Sequence, residues 1–141
     1  QTPSKPKKIK LDFKDSKYAT GRRKRSIAKV WVKKGSGNIH VNGLKMSEYF
    51  KRPVHQIIVV RPLEISEVAT SYDVKCSVKG GGLSGQAGAI ILGITKALIS
   101  HDENLKKSLK KDKLTTRDSR VVERKKYGHK KARKSFQFSK R

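Results

Sequence analysis

Along "SIAKVWVKK", Ser26 to Lys34, polarity alternates: Ala28, Val30 and Val32 fall on one side, and Ile27, Lys29, Trp31 and Lys33 on the other. A period of two predicts a strand with one buried face. "GSGN" at 35–38 supplies turn residues and "IHV" resumes the alternation, so a hairpin is expected, with Asn42-Gly43 ending its second strand. Ser47 is placed to cap a short helix through Phe50, and Pro53 to start another through Val60 that Pro62 terminates. In "SYDVKCSVK" (71–79), Tyr72, Val74, Cys76 and Val78 share a face opposite Asp73, Lys75, Ser77 and Lys79. From Leu83 to His101 the period turns helical. Leu83, Ala87, Ile90, Ile91, Ile94, Ala97 and Leu98 form a stripe, while Gly88, Ala89 and Gly93 allow close approach to a sheet. "HDENLKKSLKK" reads as a short basic helix with Asp102 as its cap and Leu105 and Leu109 as apolar contacts.

The pattern divides the 141 residues into three parts. Residues 1–17 carry six Lys, two Asp and two Pro and are expected to form an extended basic arm. Residues 18–111 hold the apolar positions and form one globular α/β body. Residues 112–141 lose periodicity. From Arg124 onward nine of eighteen residues are Lys or Arg and none is acidic, so this segment is expected to be an extended basic tail that orders only on a partner. Eighteen residues span roughly 50–60 Å when extended.

Charge narrows the choice of partner. Thirty-six Lys and Arg against 11 Asp and Glu give a net +25, which attracts polyanions. No run of about 18 uncharged apolar residues is present to span a bilayer, and the basic segments lack the bulky apolar face of an interfacial helix. No membrane partner is therefore expected, and nucleic acid is. One cysteine excludes an internal disulfide and points to a reducing compartment. No secretory segment is seen, and the chain begins at Gln1 without an initiator methionine.

"KGGGLSGQAGA", Lys79 to Ala89, contains Gly80-x-Gly82-x-x-Gly85, the spacing of a dinucleotide-binding loop. Against a cofactor stand the basic "KKSLKKDKL" where a second apolar strand is needed, and an acidic residue that falls in the helix-ending "HDEN". Gly85 is followed by Gln86 and not by Gly-Lys-Ser/Thr, so it is not a nucleoside-triphosphate loop either. Two readings remain: glycines that only pack a helix on a sheet, and backbone amides at a helix N-terminus that meet a phosphate. With a net +25 the second is favoured, the phosphate lying in a nucleic-acid backbone.

The other constellations are electrostatic or structural. Cys76 lies on its strand's apolar face and reads as core. His40, His55, His101 and His129 have no metal-ligand spacing, so no metal site, catalytic group or cofactor is expected. "TGRRKRSIAK" (20–29) places Arg22, Arg23, Lys24 and Arg25 together at a strand start, where like charges call for an anion. Trp31 sits on its strand's polar face, either to stack on a base or to lie under a helix. In "RKKYGHKKARKSFQFSKR", cations interleave with Tyr127, His129, Phe136 and Phe138, pairing phosphate neutralisation with rings able to stack on unpaired bases.

Three motifs, "ATGRRKRSIAKVWV", "VKGGGLSGQAGAIILGITKAL" and "TRDSRVVERKKYGHKKARKSFQFSKR", taken in that order over Tyr18 to Arg141, resemble the small-subunit ribosomal protein nine family of bacterial and organellar type. The resemblance implies an α+β fold, a two-layer α/β sandwich of the ribosomal S-five domain-two-like class. It also implies a non-catalytic structural role in the small-subunit head, bound to the 3′ major domain rRNA and to neighbouring ribosomal proteins. The rRNA-binding residues so implied are Arg22, Arg23, Lys24 and Arg25 in the first motif, and Lys79, Gly80, Gly81, Gly82, Ser84 and Gln86 in the second. Those in the third are Arg117, Arg120, Arg124, Lys125, Lys126, Lys130, Lys131 and Arg133. The tail is implied to reach the peptidyl site, where Ser139, Lys140 and Arg141 approach the anticodon stem of the bound tRNA. Some family members carry further Arg and a Pro before "QFSKR", where this chain has Ser135 and Phe136. The unmatched lysine-rich arm and the missing methionine favour an organellar over a bacterial ribosome. The rival expectations are a dinucleotide-dependent enzyme and a general nucleic-acid-packaging protein.

Overall fold

In the computed structural model, residues 16–67, 71–116, 120 and 123–134 are described. In chain order the elements are β1 (Lys17–Arg23), β2 (Ser26–Lys34), β3 (Ile39–Val41), β4 (Leu44–Lys45), α1 (Met46–Tyr49), α2 (Pro53–Ile65), β5 (Tyr72–Lys79), α3 (Leu83–His101) and α4 (Leu105–Lys111). The strands make one sheet in the order β1-β2-β5-β3-β4, antiparallel except for the β3–β5 pair. One face of it is covered by helices, which makes the fold α+β.

The alternation in β2 and β5 has the physical consequence expected of it. Ala28, Val30 and Val32 are fully buried, as are Val74 and, almost completely, Cys76 and Val78. Each buried Val contributes roughly 1.5–3 kcal/mol of transfer free energy. α3 supplies the other half of the core through Ala87, Ala89, Ile90, Ile94, Ala97 and Leu98. By length and mean hydropathy α3 could cross a bilayer, yet 61% of its apolar window is buried inside this fold. It is a core helix. Val41 of β3, Tyr72 of β5, Val59 and Leu63 of α2, Leu109 of α4 and Phe50 complete the cluster.

Alternation did not reveal which strands are neighbours. The expected hairpin between β2 and the "IHV" strand is absent: β5 lies between them. The reason is Asp73. Its Oδ1 accepts backbone N–H bonds from Ser36, Gly37 and Asn38, each at 3.0 Å, and wraps the turn over the start of β5. Gly35 N also donates to Ser71 O and Val74 N to Asn38 O. The chain thus leaves β2 on one side of β5 and re-enters as β3 on the other. Burial works to raise the Asp73 pKa, but the three N–H donors and the nearby Lys33 outweigh it and hold the carboxyl below its ordinary value.

Two tight turns are real hairpins. β1 and β2 are joined through Lys24-Arg25, with Lys24 at φ 52°, so the cationic "GRRKR" is not only a loop: Gly21 to Arg23 belong to a strand. Lys17, expected in the arm, begins that strand, while residues 1–15 lie outside the described residues. β3 and β4 turn at Asn42 (φ 51°) and Gly43 (φ 81°). The Asn42 amide pairs with the backbone of Val78, its Oδ1 accepting from Val78 N at 2.8 Å and its Nδ2 donating to Val78 O at 3.1 Å.

Four local expectations are corrected. α2 runs through Pro62 to Ile65, with Pro62 inside the helix and buried beside Leu63. α1 starts after Lys45 with no side-chain cap, so Ser47 lies inside the helix. Leu83 is 45% exposed at the first turn of α3 and leaves the core stripe, which Leu92 joins. Asp102 does not cap α4: Asn104 precedes that helix without a side-chain cap, and Asp102 Oδ1 accepts from Asn104 N at 3.0 Å in the turn ahead of it.

Candidate nucleic-acid interface

The β1–β2 turn and the glycine loop meet at one end of the sheet. In the cross-strand row there, Arg22 faces Ile27 and Ile27 faces Lys79. Ser26, completely buried, donates from Oγ to Gly80 O at 3.0 Å and so ties the cationic turn to the loop. Gln86 Nε2 donates to the same carbonyl at 3.1 Å, and Tyr49 OH donates to Gln86 Oε1 at 2.6 Å. These bonds hold Gly80 at φ +80° and Gly81 at φ +60°, where side chains are disfavoured. A Cβ on Gly80 would lie 2.6 Å from the Arg25 carbonyl, and one on Gly81 would collide with Ser26 Oγ.

Gly82 is different. It is the residue before α3, with extended backbone (φ −98°), and a Cβ there would meet nothing within 4 Å. Around this open N-terminus Arg22, Lys24, Arg25, Lys79 and Ser84 are exposed. The first turn of any helix leaves N–H groups without intrahelical partners, and its dipole favours anions. The cationic turn, the glycine loop and the start of α3 thus lie together at one end of the sheet.

Arg23 and Gln86 stand apart from the other expected contacts. Arg23 points to the helical side of the sheet and lies across Gly88 of α3, half-buried. It lines a small cleft with Arg22, Ile91, Lys113, Leu114 and Thr116, where the chain leaving α4 returns to the body. Gln86 is only 8% exposed and braces the glycine loop from behind.

Beyond α4, Leu114 packs against the core, its N–H bonded to Leu109 O at 3.1 Å. Arg120, Arg124, Lys125, Lys126, Lys130, Lys131 and Arg133 are all exposed, and Tyr127 is completely so. Among the described residues from 123 to 134 there is no helix or strand. Arg133 Nε meets Glu123 Oε2 at 3.0 Å, an exposed pair of the kind that contributes little. Arg117, Ser139, Lys140 and Arg141 lie outside the described residues.

The structure places Trp31 on the uncovered face, not under a helix. Its ring centroid is 5.2 Å from that of Tyr18, and Lys75 Nζ lies 5.2 Å from its centroid. Tyr18 and Lys75 face Trp31 in the strand register, a neighbourhood hidden until the strand order was known. Cys76 is buried, and desolvation pushes its thiol far up, so it remains an un-ionised core group. Among the described residues α3 is followed by α4 and by no further strand, and the sheet has one parallel pair, unlike the doubly wound sheet of a dinucleotide fold.

The family model described as ribosomal protein S9/S16 matches residues 21–141, which include the cationic turn, the glycine loop and the whole basic tail.

Proposed function

The chain belongs to the ribosomal protein S9/S16 family, whose members are structural, rRNA-binding proteins of the small ribosomal subunit, and we propose from that premise how its parts divide the work. The folded body anchors on 3′ major domain rRNA of the head through the end of the sheet where α3 begins. Arg22, Lys24, Arg25 and Lys79 neutralise phosphates there, and the bare Gly82 lets one approach the first-turn amides of α3. Contacts of this kind position a protein without reading sequence. Gln86 acts through the loop it braces. No step of this role is catalytic.

The basic tail follows rRNA away from the body, with Arg117, Arg120, Arg124, Lys125, Lys126, Lys130, Lys131 and Arg133 as its phosphate partners. Its tip, Ser139 to Arg141, meets the anticodon-stem backbone of the peptidyl-site tRNA. Phosphate contacts alone serve every tRNA alike.

The observation that carries this reading is that the exposed cationic β1–β2 turn is tied to the glycine loop before α3 by the Ser26–Gly80 bond. Reconstituted small subunits test it. Replacing Arg22, Lys24 and Arg25 with Glu should block incorporation, whereas deleting Ser139 to Arg141 should leave incorporation intact and speed peptidyl-site tRNA dissociation. Normal incorporation of the triple variant would overturn the anchoring role, and unchanged dissociation would overturn the role of the tip.

A further inference from the structure

The helices cover one face of the sheet only, and among the described residues no element packs on the other. That open face is strongly cationic: Arg22, Lys29, Lys33, Lys75 and Lys79 project from it through β1, β2 and β5. Its one acidic neighbour on those strands, Asp73, lies near Lys33 at the face's edge and accepts three backbone hydrogen bonds. At the centre stands Trp31, half-buried, with the half-exposed Tyr18 beside it, the rings tilted by 45°. Lys29 and Lys33 flank Trp31 two residues either way along the strand, roughly 7 Å apart from it.

Rings ringed by cations match a ligand having both flat apolar faces and regularly spaced negative charge. That is a single strand of RNA: every base offers a π-face, and every linkage a phosphate. A duplex hides its bases, and an acidic peptide offers no comparable stacking surface.

We propose that the open face of the sheet is a platform for an unpaired stretch of RNA. One base stacks on Trp31 beside Tyr18, and Lys29, Lys33 and Lys75 meet the adjacent phosphates. Lys75, which lies over the indole at 5.2 Å, gives up that place to the base and turns to its phosphate. The platform is a further contact surface that adjoins the glycine loop at Arg22 and Lys79, and it rests on reading the chain as an rRNA binder.

Trp31 is the only tryptophan, so its emission reports on this face alone. The full chain is titrated with a short dye-labelled oligoadenylate and, separately, with an RNA duplex of equal phosphate content, following binding by anisotropy and Trp31 by emission. The single strand should quench Trp31 along the same isotherm as its binding, and the duplex should bind without quenching. Trp31→Val, a residue suited to a strand, should weaken the single strand about five- to hundredfold, the range for one stacked base, and Lys75→Gln should weaken it less. Oligoadenylate that binds while Trp31 emission stays constant overturns the platform and leaves the rRNA reading standing. Quenching by anionic lipid vesicles but not by oligoadenylate makes the face a membrane surface and also overturns it. If no RNA binds at all, the underlying rRNA reading fails with it.

Discussion

Gly21 of β1 lies directly against Ala89 of α3: a Cβ on Gly21 would collide with the Ala89 carbonyl and lie 2.6 Å from the backbone nitrogen of Gly93. A backbone carbonyl within a helix cannot swing aside as a side chain can. The absence of a side chain at Gly21, and at Gly93 where a Cβ would be 2.5 Å from Val30 Cγ2, therefore sets how closely β1 and β2 dock on α3.

Gly21→Val should therefore be among the most damaging substitutions in the body. Overpacking costs about 1–3 kcal/mol, and an unyielding contact belongs at the top of that range. Chemical denaturation should show a lowered midpoint, and the β1–β2 turn bearing Arg22 to Arg25 should lose protection from hydrogen exchange. An unchanged midpoint would mean β1 can lift from α3 at no cost.

Asp73→Asn tests the bracket that sends the chain across β5. The native carboxyl has a pKa held below 3.8, its ordinary value. The stability it contributes is complete above that value and is lost as pH falls through the lower folded-state pKa. The variant should be less stable than the parent by about 1 kcal/mol at neutral pH, the scale of a weakened hydrogen-bond set. The two should converge under strongly acidic conditions. A difference that persisted there would assign the effect to shape and not to charge.

The glycine loop should separate folding from binding. Gly81→Ala forces a Cβ onto Ser26 Oγ at φ +60° and should lower stability by about 1 kcal/mol or more. Gly82→Val meets nothing within 4 Å, so the fold should be unaffected while affinity for rRNA falls. Unfolding curves with filter-binding titrations check both. Full affinity in Gly82→Val would show that phosphate does not need to come close there.

Much of this was legible in the sequence, and the failures share a cause. β2, β5 and α3 announce themselves because each repeats a short period against one buried face. β1 does not: Gly21 has no side chain, and Arg22 and Arg23 look like a charged loop although Arg23 packs along Gly88. The false hairpin arose because "GSGN" does turn the chain, but the partner that directs the turn, Asp73, lies far along the sequence. The same distance hid Lys75 from Trp31. The glycine spacing was visible from the start, yet only the geometry divides it into Gly80 and Gly81, which shape the loop, and Gly82, which leaves it open.

The central claim is that the excess of positive charge is neutralised by ribosomal RNA, and salt dependence measures it most directly. Affinity of the full chain for a 3′ major domain rRNA fragment is followed as salt is raised, with a DNA duplex as competitor. With about six phosphates neutralised, the slope of log affinity against log salt should lie near −4 to −5, and the rRNA fragment should hold its lead over DNA throughout. A slope near zero, or DNA competing on equal terms at every salt concentration, would contradict the account.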